Sequence, residues 1–73
     1  MLAVDPDMTT MQLLKLAADS HHQRVALEDI ERQFLVDLLR RRGLEELQYG
    51  EEVCHQNVRL IKRVTGAVGV YFR

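Results

Sequence analysis

The apolar positions of this chain recur mostly at helical spacing. Met11, Leu14 and Ala18 share one face, and Leu13, Leu16 and Ala17 widen it until Lys15 is the main charged residue left. A helix over about Thr10–Asp19 with so broad an apolar surface is expected to be largely buried. Its start is marked: Thr9 precedes Gln12 by the capping-box interval, and Met8 and Leu13 hold hydrophobic-staple positions. Residues 1–8, with Pro6 between Asp5 and Asp7, read as an extended lead-in. Ser20 and Gln23 repeat the capping-box interval around His21 and His22. A break is expected there, with a continuous helix as the alternative.

The second helix is expected from about Arg24 to Arg42. Leu27, Ile30, Phe34 and Leu38 form its stripe and Leu35 broadens it, while Val25, Val36 and Leu39 make a second apolar patch off that stripe. Glu28–Arg32 and Asp37–Arg41 are i,i+4 pairs in the favourable order. Arg40, Arg41 and Arg42 suit a helix C-terminus, and Gly43 suits the left-handed position after it. Residues 44–49 read as a short helical turn. Gly50 then caps a third helix that carries Glu51 and Glu52 in its first turn and runs to about Thr65, with Val53, Asn57, Leu60, Ile61, Val64 and Val68 in period. Gly66 and Gly69 break it, and 67–72 is β-prone. A hairpin pairing residues 58–64 with 67–72 is the alternative, since both runs are rich in β-branched residues. The expected architecture is a single all-α domain over residues 1–73, a compact three-helix unit with a C-terminal arm at 66–73 that is a short strand or half of a hairpin.

Composition bounds what such a unit does. Leu, Ile, Val and Phe make up nearly a third of the 73 residues, well above the roughly 20% below which chains stay disordered. A domain this short buries only about 60% of its unfolded surface. Small scaffolds often need a disulfide, a metal or a partner chain, and Cys54 is the single cysteine. Little room is expected for a pocket of about 300 Å³, the lower bound for small-substrate sites, so no enzyme activity and no small-molecule substrate are expected. No apolar run approaches the roughly 18 residues of a membrane span. With one cysteine and no visible targeting signal, a cytoplasmic protein is expected.

Net charge is −1, but residues 1–37 hold three bases and seven acids, while residues 38–73 hold seven bases and four acids. Arginine outnumbers lysine eight to two, which favours planar, bidentate contacts. An acidic front and a basic back favour charge-complementary docking.

Candidate chemistry is sparse. His21, His22, Cys54 and His55 are metal-ligand types, but zinc needs four converging ligands. Neighbours on a helix diverge by about 100°, so no metal and no cofactor is expected, and a buried thiol is the plain reading of Cys54. Ser20, the sole serine, reads as a cap. Gly66 and Gly69 precede no helix and cannot cradle a phosphate. The acid pairs 28/29, 45/46 and 51/52 read as helix-supporting.

Leu16 and Ala17, followed by Leu27, Ile30 and Glu31, fall at the spacing of a known motif. Residues 16–31 thereby resemble the helix-turn-helix of repressors. His21 stands where that motif has glycine, and His22 where it has an aliphatic residue. The resemblance implies Gln23 and Arg24 as base-reading side chains, whereas Glu28 and Asp29 would face the phosphates and be repelled. Separately, Arg59, Lys62, Arg63 and Arg73 flank an apolar run ending in Tyr71 and Phe72, a composition that also binds nucleic acid.

The leading expectation is a small non-enzymatic regulator or inhibitor that docks on a larger protein, with a transcription complex such as RNA polymerase as one target. Arg40, Arg41, Arg42, Arg59, Lys62 and Arg63 would supply electrostatic contacts. Val36, Leu39, Tyr71 and Phe72 would be apolar anchors, since Tyr and Arg are favoured hot-spot types. The alternatives are a dimeric DNA-binding regulator using Gln23 and Arg24, and a structural subunit of a homo-oligomer.

Overall fold

In the computed structural model, which describes residues 4–73, the chain forms α1 (Thr10–His21), α2 (Asp29–Glu46), β1 (Glu52–His55), β2 (Val58–Lys62) and β3 (Val68–Phe72). The three strands make an antiparallel sheet in the order β1-β2-β3. This overturns the all-α, three-helix expectation: the third helix is absent and a meander takes its place. The hairpin alternative is the arrangement found, with one further strand on its other side.

The capping box forms. Gln12 N donates to Thr9 Oγ1 at 3.2 Å and Thr9 N to Gln12 Oε1 at 2.8 Å. Leu13, Leu14, Leu16, Ala17 and Ala18 are buried, whereas Met11 lies half exposed. Ser20 starts no new helix. It lies in the last turn of α1, which closes as a Schellman motif: Arg24 N donates to Asp19 O at 2.8 Å and Gln23 N to Ser20 O at 3.1 Å. Gln23 fills the left-handed position, at φ 62°.

Ahead of α1 the lead-in is not simply extended. Met8 N donates to Asp5 O at 3.0 Å, Asp7 N to Asp5 Oδ1 at 2.8 Å, and Val4 is tucked into the core. The rest of the lead-in, residues 1–3, lies outside the described residues.

α2 begins five residues later than expected and runs four beyond Arg42, through Gly43. Leu35, Leu38, Leu39 and Gly43 face inward, with Glu31, Phe34 and Arg42 half-buried beside them. That is a helical stripe displaced from the expected one, and it leaves Ile30 80% exposed. Gly43 is no cap. A Cβ there would stand 2.6 Å from Val68 Cγ1 and 3.3 Å from Leu60 Cδ1, so the missing side chain lets the helix close onto β2 and β3.

The two helices are antiparallel. Thr10 Oγ1, at the start of α1, donates to Glu46 Oε1, at the end of α2, at 2.7 Å, and Arg42 Nη2 donates to Pro6 O at 2.6 Å. Both helices lie on one face of the sheet, α1 over β1 and β2, α2 over β2 and β3.

Each connection has its own turn chemistry. Glu51 N donates to Gln48 O at 2.9 Å with Gly50 at φ 82°, the positive φ that a type II turn requires at its third residue. β1 and β2 are joined by Gln56–Asn57 alone, with Gln56 at φ 54°. β2 and β3 are joined by residues 63–67: Gly66 N donates to Arg63 O at 2.8 Å, Arg63 N to Ala67 O at 2.8 Å, and Gly66 takes φ 95°. That is a turn followed by a glycine bulge.

Strand alternation then sorts the C-terminal third of the chain. Val53, His55, Val58, Leu60, Lys62, Val68, Val70 and Phe72 fall on the helix side; Glu52, Cys54, Arg59, Ile61, Gly69 and Tyr71 fall on the open side. Val58 and Leu60 are fully buried. Among the described residues no helix is long and apolar enough to cross a membrane.

Candidate functional site

The open face of the sheet gathers most of the basic and aromatic residues singled out near the C-terminus. The register sets Cys54 beside Arg59 and Arg59 beside Tyr71 in one row. Arg63 continues the outward alternation of β2. It donates from Nη2 to the Tyr71 hydroxyl at 2.7 Å, its guanidinium 5.9 Å from the ring centroid. Arg73 follows β3 on the same side, its N–H donating to Asn57 O at 2.9 Å. A shallow groove of about 290 Å³ is lined here by Cys54, Gln56, Asn57, Arg59 and Arg73.

Tyr71 lies flat against the strand, because Gly69 leaves it room. A Cβ on Gly69 would come within 2.7 Å of Tyr71 Cε2 and 2.8 Å of its hydroxyl. The result is an aromatic plate, 41% exposed, pinned by Arg63.

One acid shares this face. Arg59 Nη2 donates to Glu52 Oε2 at 2.6 Å and Cys54 Sγ to Glu52 Oε1 at 3.4 Å. The Arg59 hydrogen bond, aided by the Cys54 thiol, holds the Glu52 carboxyl below its ordinary range, and Glu52 raises Arg59 in return.

The other expected contact residues scatter. Arg40 pairs with Asp37 at 3.9 Å, displacing the expected Arg41 partner, and Arg41 is exposed on α2. Arg42 is drawn to Pro6 O and to Glu46 at 3.6 Å. Lys62 falls on the helix side of the sheet and reaches the end of α2, donating to Leu44 O at 3.1 Å. The six cations therefore form no single surface. Leu39, expected as an anchor, is fully buried and sits in the core. Val36 is half-buried near the middle of α2, and Phe72 is 39% exposed at the end of β3.

Gln23 and Arg24 do not begin a recognition helix. They lie in the seven-residue connection between α1 and α2, and Arg24 pairs with Asp19 at 3.7 Å. The helix-turn-helix resemblance thus loses the tight turn that would aim these side chains into a groove.

The histidines have defined places. His21 stacks on Phe72, ring centroids 5.3 Å apart, and its Nε2 is 2.9 Å from Arg73 O; His22 Nε2 is 3.0 Å from Asn57 Oδ1. These contacts tie the end of α1 to the β1–β2 turn and to the end of β3. Cys54 is exposed, not buried as expected, and on a strand it faces away from His55. His55 Nε2 is shut from solvent without a hydrogen-bond partner. Among the described residues no three ligand-type side chains group to hold a metal.

Two features escaped sequence reasoning. A cleft of about 360 Å³ opens between the end of α1, the start of α2 and β3, lined by Ala17, Ser20, His21, Gln23, Arg32, Leu35, Val36 and Phe72. It exceeds the size expected of so short a chain, and it opens beside the seven-residue connection between the two helices. At the other end, Leu44, Tyr49 and Val64 are 54%, 70% and 79% exposed. They lie around Lys62, whose Nζ is 4.7 Å from the Tyr49 ring. The exposed Tyr49 in a polar turn was the one signal available for it.

Comparison with family models, with curated proteins and with solved structures finds no match for this chain.

Proposed function

We propose that this protein is a non-enzymatic interaction module that docks on an acidic surface of a larger protein through the open face of its sheet. The observation that carries this reading is the assembly of Arg59, Arg63 and Arg73 around a flat, half-exposed Tyr71, with Ile61 alongside. Arg and Tyr are the side chains that dominate binding energy in protein interfaces, and pre-fixed aromatic plates lose little entropy on docking. The face offers donors and flat area, not an enclosed space that would exclude water from a reaction.

A second reading is favoured by the geometry of Tyr71 itself. A ring lying flat on an open sheet, flanked by arginines, suits the stacking of a base in single-stranded nucleic acid. Against it, the chain carries a net charge of −1, a weak footprint for binding dominated by phosphate.

The test compares the tagged protein with an Arg63→Glu/Arg73→Glu variant in pull-downs from native lysate, with and without nuclease, read by mass spectrometry. A stoichiometric protein retained by the parent through nuclease treatment, and lost by the variant at unchanged circular dichroism, supports docking through this face. Recovery abolished by nuclease moves the reading to nucleic acid. Equal retention by both proteins sinks the assignment of the surface.

A further inference from the structure

The cleft between α1, α2 and β3 is separate from the open sheet face, and its lining has a definite chemistry. Ala17, Leu35, Val36 and the ring of Phe72 supply apolar walls, while Ser20, His21, Gln23 and Arg32 supply polar groups. Its volume of about 360 Å³ falls within the range of small-molecule sites, which begins near about 300 Å³. Among the described residues no carboxylate lines it, and Arg32 is its one permanently charged residue.

We infer that this cleft binds a small amphipathic carboxylate, its ring or branched apolar body against Phe72 and Val36 and its carboxylate on Arg32. Helix polarity places the charge at that end. Arg32 is the fourth residue of α2, near the positive end of that helix, whereas α1 contributes its negative end. Three of the last four α1 carbonyls are themselves occupied: Ala18, Asp19 and Ser20 accept from His22, Arg24 and Gln23.

Among the described residues the Arg32 side chain makes a 3.4 Å hydrogen bond to Leu27 O and a 3.9 Å pairing with Asp29, whose side chain is wholly solvent-exposed, so a bound carboxylate competes with a weak partner. A guanidinium can take that carboxylate through two parallel hydrogen bonds. The stacking of His21 on Phe72 fixes the aromatic wall in advance. Gln23 joins the lining from the left-handed position that closes α1.

The experiment is a titration of the ¹⁵N-labelled full chain with phenylacetate and, separately, with phenylacetamide, followed by amide shifts. Saturable shifts centred on Ala17, His21, Val36 and Phe72 are expected. Phenylacetamide should bind about tenfold more weakly, the loss of a charge-assisted contact. Arg32→Gln should bring phenylacetate down to the amide's affinity. Val36→Phe, which fills the cleft, should remove both, with the Leu13 and Leu60 amides reporting in the same spectra that the fold is kept. The inference is overturned by an absence of saturable shifts, by shifts centred on Cys54, Arg59 and Arg73, by equal binding of acid and amide, or by an Arg32→Gln protein that still prefers the acid.

Discussion

At Gln23 the chain closes α1 with a residue whose side chain opposes the backbone it must adopt. The Schellman motif needs a left-handed residue, and a side chain there costs roughly 1–2 kcal/mol. Gln23→Gly should therefore stabilise the fold by about 0.5–1 kcal/mol, after the extra flexibility glycine gives the unfolded chain; urea midpoints check this. The reverse logic holds at Gly69. Gly69→Ala places a methyl against the Tyr71 ring and must lift it, breaking the bond from Arg63. The fold should survive with a loss of about 1 kcal/mol, while partner binding through the open face falls. Unchanged affinity at a displaced Tyr71 would remove that ring from the interface. Glu52 adds a pH dependence. Folding lowers its pKa, so the pairing contributes fully at neutral pH, above the unfolded carboxylate value. The contribution fades as pH falls through the lower folded-state value. The group is solvent-exposed, so thermal stability should barely register this. Glu52→Gln should instead free Arg59 and tighten binding to an acidic partner a few-fold; weaker binding by that variant would contradict an acidic partner.

Among the elements, Gly43 sets helix propensity against packing. Alanine is better in a helix by about 1 kcal/mol. Yet its methyl would meet Val68 Cγ1 at 2.6 Å and Leu60 Cδ1 at 3.3 Å. Overpacking of this kind costs about 1–3 kcal/mol, so Gly43→Ala should destabilise on balance, and Val68→Ala should partly rescue it in a double-mutant cycle. The same glycine explains one limit of the sequence. Placed after three arginines it reads as a helix stop, and only the tertiary approach of β3 gives it its purpose. α1 was legible because Thr9 and Gln12 state its start locally. The third helix was misread for a physical reason. Val53, Leu60, Ile61 and Val64 fit a helical period, and in Val58–Lys62 the strand alternation is blurred because Ile61 faces out and Lys62 faces in. Lys62 tolerates the inner side by reaching the carbonyl of Leu44. The β1–β2 turn also lacks the glycine that usually announces a two-residue hairpin. The basic-aromatic tail was legible as composition. Its separation into an open face and a helix-packed face waited on the strand register.

Over the whole molecule, helices and sheet have one core between them. Leu13 and Leu14 of α1, Leu35 and Leu39 of α2, and Val58 and Leu60 of β2 are all fully or almost fully buried in a single cluster. β2 is the central strand and lies under both helices, so Leu60 is where the two layers depend on each other. Truncating a buried leucine costs about 2–5 kcal/mol. A domain of this length holds at the low end of the roughly 5–15 kcal/mol that folded proteins possess. Leu60→Ala should therefore remove much of the stability, and it should do so for both layers together. Helical ellipticity and the tyrosine signal from the sheet should melt in one transition at a lower midpoint. The helical hairpin has capping contacts of its own at Thr9 and Gln12, so survival of its ellipticity after the sheet signal is lost would mean that the layers are separate folding units. That outcome would also alter the functional reading. The open face depends on a sheet held from behind by Leu60 and Val58, and a sheet able to detach from its helices could not hold Arg59, Arg63 and Tyr71 in a fixed array.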